Sequence, residues 1–357
     1  MPKNLKPSPF LLDCTLRDGS YAINFKFTAK DTKNISSGLD NLGFDYIEIG
    51  HGMGLGASRE IKYRAAASDQ EYMKAASLSV KKNKWGVFCI PGIAKLDDLR
   101  LASDYGAKFI RIGSDIKDNK ESESFISLGK SLGLEVFANL MKSYTISPKN
   151  FALLAEKSIN YGADIIYIVD SSGSMLPNEL IDYIFLTQEK IGKKKIGFHG
   201  HNNLGMAIAN SLTCCEENIF LIDTTIQGIG RSSGNAPSEQ LVSSFIRGNF
   251  RTKIDPIELM NFGEKYIRPF ISQRGIDTLD TIAGLSKFHS SYMSKIIEVA
   301  KEFHIDPKEL ITSLCKKTIS SAPDNLIRKI STTLQKKCNK KYNFKLSQSK
   351  YYGNEQK

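Results

Sequence analysis

The chain has 357 residues, 41% of them hydrophobic, enough for one large α/β domain with a smaller appendage. No apolar stretch approaches the ~18 residues of a membrane span and residues 1–7 lack the apolar segment of a secretion signal, so a cytoplasmic protein without membrane contact is expected. The net charge of +11 collects at one end: residues 328–357 carry nine Lys/Arg against Glu355 alone, leaving +3 for the other 327 residues, which argues for a solvated basic tail and against nucleic acid as a partner.

In chain order, short apolar or β-branched runs occur at 10–14, 46–49, 86–90, 109–112, 135–139, 165–169, 195–199 and 221–225. Between them lie stretches at 30–42, 95–105, 121–132, 150–161, 178–191 and 207–217 with apolar residues at i, i+3 and i+4, the spacing of amphipathic helices. The phrases Leu42-Gly43-Phe44-Asp45, Tyr105-Gly106-Ala107-Lys108, Leu132-Gly133-Leu134-Glu135 and Tyr161-Gly162-Ala163-Asp164 place a glycine where a helix ends and a strand begins. Continuous apolar strands alternating with helices predict a parallel sheet covered by helices. Eight such units, with no Gly-x-Gly-x-x-Gly turn after the first strand, predict an α/β fold of the (β/α)8 TIM-barrel type over 8–275. The alternation stops near residue 270. Helices alone are expected over 278–302, 307–317 and 325–337, giving a small C-terminal all-helical domain at 276–345 and a basic, frayed tail at 346–357. The six cysteines (14, 89, 214, 215, 315 and 338) form no C-x-x-C pair and are expected as reduced thiols, with Cys214 and Cys215 packed as small apolar residues.

In such a barrel the C-terminal strand ends carry the active site. Arg17 and Asp18 follow strand 1, Glu48 ends strand 2, Ser171 follows strand 6, His199 and His201 end strand 7, and Asn235 lies in the glycine-rich loop after strand 8. Residues i and i+2 of a strand face one side, so both imidazoles point into one space. One carboxylate and two imidazoles suit a divalent metal such as Mn2+, Zn2+, Co2+ or Mg2+ with positions open for substrate. Beside it, the planar guanidinium of Arg17 can clamp a 2-oxo acid and stabilise a developing enolate oxygen. For Glu48 two readings stand side by side, a direct catalytic role and a carboxylate that ion-pairs within the structure.

The motifs Thr15-Leu16-Arg17-Asp18-Gly19, Ile47-Glu48-Ile49-Gly50-His51-Gly52, Ile90-Pro91-Gly92, Val169-Asp170-Ser171, Phe198-His199-Gly200-His201-Asn202-Asn203-Leu204 and Gly234-Asn235-Ala236-Pro237 resemble the metal-dependent lyase barrels. That group includes 3-hydroxy-3-methylglutaryl-CoA lyase, isopropylmalate and citramalate synthases and 4-hydroxy-2-oxovalerate aldolase. The resemblance is strongest to the aldolases and runs from Leu11 to about residue 327, with Gly284–Tyr292 similar to the start of their helical domain. It implies an oxo-acid lyase that makes or cleaves a 4-hydroxy-2-oxo acid from pyruvate and an aldehyde. Asp18, His199 and His201 would be the metal ligands, with Asn235 as a fourth, Mn2+ the leading ion, Arg17 at the enolate and Ser171 at the substrate carboxylate.

One departure bears on proton transfer. The aldolases carry a basic histidine after Arg-Asp-Gly where this chain has Tyr21, and an active-site tyrosine where it has His289. Either the two roles are exchanged, with His289 as base and Tyr21 as its hydrogen-bonding counterpart, or His289 only packs and Tyr21 reshapes the pocket. A homo-oligomer is expected of a barrel with a helical appendage, and the resemblance implies an acylating aldehyde dehydrogenase as a partner in the catabolic members. An acyl-CoA-dependent condensing synthase and a non-catalytic barrel subunit are the alternative readings.

Overall fold

The computed structural model describes residues 5–116, 121–171, 173–231, 234–271, 279, 282, 286, 288, 292–318 and 322–337. Eight strands, β1 Phe10–Asp13, β2 Tyr46–Ile49, β3 Lys84–Cys89, β4 Phe109–Asp115, β5 Glu135–Met141, β6 Ile165–Asp170, β7 Lys195–Gly200 and β8 Leu221–Thr224, pair in sequence order into a closed parallel barrel. The seam between first and last strands is in register from Phe10↔Leu221 to Asp13↔Thr224. The expected α/β barrel is therefore the fold, and its strands are buried on both faces, as their unbroken apolar sequences require.

Helices α1 Ala29–Leu42, α2 Asp69–Ser79, α3 Leu96–Asp104, α4 Ser122–Ser131, α5 Pro148–Asn160, α6 Pro177–Ile191, α7 Ala207–Glu216, α8 Ser238–Arg247 and α9 Pro256–Tyr266 cover the sheet. Local chemistry sets their ends. Thr28 with Asp31 and Ser68 with Glu71 form reciprocal capping boxes at α1 and α2. Gly43, Gly106, Gly133 and Gly162, the glycines of the recurring phrase, all take positive φ where the chain leaves the helix for the next strand. The main core lies between sheet and helices, with Ile35 and Leu39 of α1, Leu180 and Ile184 of α6 and Leu241 and Phe245 of α8 packed against strand residues such as Ile47, Ile110 and Ile166.

Inside the barrel the side chains are layered. Tyr46, Phe109, Phe137 and Tyr167 fill the lower half, with Phe109 and Phe137 stacked at 5.0 Å. Above them the strands carry charge: Glu48, Arg111, Asn139 and Asp223 are all at most 3% exposed. Arg111 bridges the two layers, its guanidinium 4.4 Å from the Tyr167 ring centroid. The packed aromatic floor closes the lower end, so a reacting molecule enters only from the C-terminal rim.

The chain divides into two compact units, 1–275 and 276–357. In the second, α10 Met293–Glu302, α11 Pro307–Cys315 and α12 Asp324–Lys337 bury Ile296, Ile297, Leu310, Leu314 and Ile327. A single helix over 278–302 is not what forms, because Phe288 lies outside any helix and α10 starts at Met293. His289 and residues 338–357, which include Cys338 and the basic tail, lie outside the described residues. Cys14, Cys89, Cys214, Cys215 and Cys315 are free thiols. Among the described residues no helix is long and apolar enough to cross a membrane.

Candidate metal centre and active site

The turn after β1 places Arg17 and Asp18 at the rim, both almost fully buried. β7 delivers His199, and His201 follows it in a bridge to Asn235 from the loop after β8. Asp18, His199 and His201 are thus brought together, one ligand atom of each lying within 4.8 Å of the others.

Their hydrogen bonds decide which atoms face the centre. His199 Nδ1 lies 2.7 Å from Asp223 Oδ2, and an ionised carboxylate only accepts, so Nδ1 carries the proton. His201 Nδ1 likewise donates to the Gly234 carbonyl at 3.2 Å. With Nδ1 so engaged, Nε2 is the ring atom each histidine has left for the centre, and His199 Nε2 is 3.9 Å from Asp18 Oδ2. Burial pushes His201 down to about 4 against the pull of Asp18, so its imidazole is neutral at pH 7. Burial alone would raise Asp18, but the Arg17 guanidinium and the Arg231 backbone N–H hold it well below the usual carboxylate range. Asn235 gives its Nδ2 to Asp18 Oδ1 at 3.1 Å and to the Ile229 carbonyl, which leaves its buried Oδ1 without a partner. One ionised carboxylate, two lone-pair nitrogens with anchored outer nitrogens and one orphaned amide oxygen fit a divalent cation.

Cys14, His199 and Asp223 come equally close together. That trio is spent elsewhere: burial holds Cys14 as a protonated thiol that donates to the Thr224 carbonyl, and Asp223 ion-pairs with Arg111.

Arg17 is gripped by two carboxylates, Nε to Glu48 at 2.7 Å and Nη1 to Asp18 at 2.8 Å, and its face lies over Phe88. Neither ion pair uses Nη2. Glu48 is fully buried between Arg17 and Arg111, with Arg111 Nη1 at 3.0 Å. Arg111 in turn reaches Asp223 Oδ2 at 2.5 Å. A continuous chain, Asp18–Arg17–Glu48–Arg111–Asp223–His199, therefore runs under the centre from one candidate ligand to another, and each member fixes the next.

The rim encloses a cavity of about 300 Å3 lined by Arg17, Asp18, Tyr21, Ser171, His199 and His201, with Phe88, Ile90, Met141 and Val169 as apolar wall. Ser171 Oγ accepts the Lys142 amide at 3.1 Å, which fixes the hydroxyl at the cavity edge. Burial and the Asp18 charge raise the Tyr21 phenol above its usual value, so it remains a hydrogen-bond donor at neutral pH. His51, quoted in the strand-2 motif, is not an available base. Its Nδ1 accepts from Met53 N at 3.0 Å, its Nε2 donates to the Tyr63 carbonyl at 2.7 Å, and its ring stacks on Phe25.

Sequence reasoning did not single out Arg111, Asn139, Asp223 or Arg231. For the first three a signal existed: a charged or amide side chain inside an otherwise apolar buried strand must find a partner there. Arg231 sits in a glycine-rich loop with no periodicity to reveal where its side chain goes.

A closed parallel barrel with a carboxylate and two imidazoles converging at its C-terminal rim is a (β/α)8 barrel with a candidate metal centre. A family model described as HMGL-like matches residues 8–265, and the chain belongs to that family. It is 33% identical over 328 residues to a 4-hydroxy-2-oxovalerate aldolase of Moorella thermoacetica, covering 92% of this chain and 97% of that one. It is 34% identical over 326 residues to 4-hydroxy-2-oxovalerate aldolase 2 of Nocardia farcinica, covering 91% and 94%. The crystal structure of a hydroxymethylglutaryl-CoA lyase from Pseudomonas aeruginosa shares the fold, with a TM-score of 0.66 at 17% identity over 80% of this chain and 99% of that one.

Proposed function

We propose that the protein is a divalent-metal-dependent aldolase that cleaves or forms a 4-hydroxy-2-oxo acid, with pyruvate as the 2-oxo acid fragment and an aldehyde as the other. The observation that carries this reading is the pairing of Arg17, held by Glu48 and Asp18 with Nη2 unused, with the Asp18–His199–His201 donor set. The relatives' names point to the same reaction. Asp18, His199, His201 and Asn235 would hold the ion, and Mn2+ suits two imidazoles with two oxygens and no thiolate. When bound, such an ion supplies Lewis acidity to the substrate carbonyl.

The chain's own residues then divide the work. Ser171 Oγ, at the cavity edge, receives the substrate carboxylate. In cleavage a base takes the C4 hydroxyl proton, the C3–C4 bond breaks, and its electron pair moves toward the C2 oxygen, where Arg17 Nη2 donates to the growing negative charge. Glu48 acts by holding Arg17 in place. The raised Tyr21 phenol donates to the C4 oxygen and cannot serve as the base. Within the barrel His51 is locked and His199 and His201 face Asp18; the exchange of roles that the resemblance suggests would make His289 the base.

Proton–deuterium exchange at pyruvate C3 with Mn2+ present tests the reading. The wild type should exchange and Asp18→Asn should not. A wild type that binds Mn2+ without exchanging would sink the aldolase assignment. For the proton-transfer residues, His289→Ala and Tyr21→Phe should both slow turnover, and unchanged rates in both would remove that assignment.

A further inference from the structure

The aldolase reading leaves the acceptor aldehyde open, and one cation at the cavity narrows it. Arg17 is paired with Glu48 and Asp18, Arg111 with Glu48 and Asp223, and Lys142 with Asp115 at 2.5 Å. Arg231 also lines the cavity, and among the described residues no carboxylate pairs with it. Its backbone N–H donates to Asp18 Oδ1 at 2.9 Å, which ties the residue to the metal centre. Its Nη2 donates to the Ser171 carbonyl at 2.7 Å, which draws the side chain across the rim toward the loop after β6. An arginine with one anchored nitrogen still offers its remaining N–H groups in a planar fork suited to phosphate or carboxylate.

A short apolar aldehyde would give the free N–H groups of Arg231 at the cavity nothing to bond.

We infer that the acceptor aldehyde carries an anionic group, phosphate or carboxylate, and that Arg231 receives it at the mouth of the cavity. The inference rests on the aldolase reading above. The condensation balances without a further reagent: C3 of pyruvate loses a proton and bonds to the aldehyde carbon, and the aldehyde oxygen gains a proton to become the C4 hydroxyl. The anionic group takes no part in the bond change and serves only to bind and orient.

The test uses the full chain loaded with Mn2+, with pyruvate and four acceptors: D-glyceraldehyde 3-phosphate, succinic semialdehyde, glyceraldehyde and propanal. Wild-type kcat/KM should favour at least one anionic acceptor over the neutral ones by roughly 10- to 100-fold, the worth of a charged hydrogen bond. The stronger of the two names the group. Arg231→Gln should collapse that ratio toward one. Equal use of neutral and anionic acceptors by the wild type, or a ratio untouched by Arg231→Gln, overturns the inference. So does a variant whose only change is a higher KM for pyruvate, since Arg231 would then hold the pyruvate carboxylate. Pyruvate C3 exchange without any acceptor is run alongside. Exchange without anionic selectivity fails the inference alone, whereas absence of exchange fails the aldolase reading.

Discussion

Asp223 Oδ2 accepts a hydrogen bond from His199 Nδ1–H at 2.7 Å and pairs with the Arg111 guanidinium at 2.5 Å, so one buried oxygen orients a candidate metal ligand and neutralises a mid-barrel cation. Asp223→Asn keeps the shape and removes the charge. Without it His199 loses the partner that fixes its tautomer, and affinity for Mn2+ should fall about 10- to 100-fold. Titration against a metal-sensitive chelator dye reads this, with circular dichroism to confirm the barrel. Unchanged affinity would mean that the backbone alone orients His199.

Arg17→Lys separates charge from geometry. A lysine carries its donors on a single nitrogen and cannot match the separate Nε and Nη1 that hold Glu48 and Asp18 while a third nitrogen faces the substrate oxygen. Pyruvate C3 exchange should drop about 100- to 1000-fold, the cost of a lost oxyanion donor. Metal affinity should stay within a few-fold, because Asp18, His199 and His201 remain. A variant that loses metal and exchange together would instead make Arg17 part of the metal site's support.

Gly230→Ala probes the packing behind the centre. A Cβ there would overlap Asn235 Nδ2 and come within 2.9 Å of Asp18 Oδ1. Both residues belong to the donor set, so the methyl group should weaken Mn2+ binding more than it lowers the melting temperature. The same dye titration with a thermal melt distinguishes the two. A large loss of stability with full metal affinity per folded molecule would show that the loop moves as a whole to admit the methyl.

The centre's residues were readable from the sequence for a simple reason. His199 and His201 are two apart at a strand end, and Arg17-Asp18 ends an apolar run, so period and position alone put them on one rim. Glu48 could be located but not interpreted, because its meaning depends on Arg111, sixty-three residues away and two strands over. Arg111 and Asp223 meet across the barrel interior, and nothing local in Phe109-Ile110-Arg111-Ile112 or Leu221-Ile222-Asp223-Thr224 says that these two charges pair. The helix expected over 278–302 failed at Phe288 because helical periodicity there continues through a stretch that does not form one helix.

Two buried acids give the barrel a pH dependence. Burial pushes Glu239 up to about 8 from an ordinary 4.5, against the bonds it accepts from the Gln227 amide, and pushes Asp13 up to about 7 from 3.8. A raised acid holds its proton longer when folded, so the native state binds more protons between the two values and stability falls as pH rises through that window. For Glu239 the slope is at most ~1.4 kcal/mol per pH unit. Urea midpoints at pH 5 and pH 8.5 should therefore differ, and Glu239→Gln should shrink the difference by raising the midpoint at pH 8.5. An equal loss in both proteins would assign the dependence to other groups, Asp13 first among them.

The in-register seam between β1 and β8 has a consequence for how the protein matures. Asp18 belongs to the first strand's turn, His199 and His201 to the seventh strand, and Asn235 to the loop after the eighth. During synthesis the first of these donors waits more than two hundred residues for the last, so no high-affinity site exists until the ring shuts. Cation uptake at these residues would therefore be a late event that fastens the seam: an ion held on both sides of it would oppose reopening by an amount that grows with the free ion's concentration relative to its Kd. Chelation should loosen first the hydrogen-exchange protection of β1 and β8, and leave β4 to β6 on the far side of the ring protected.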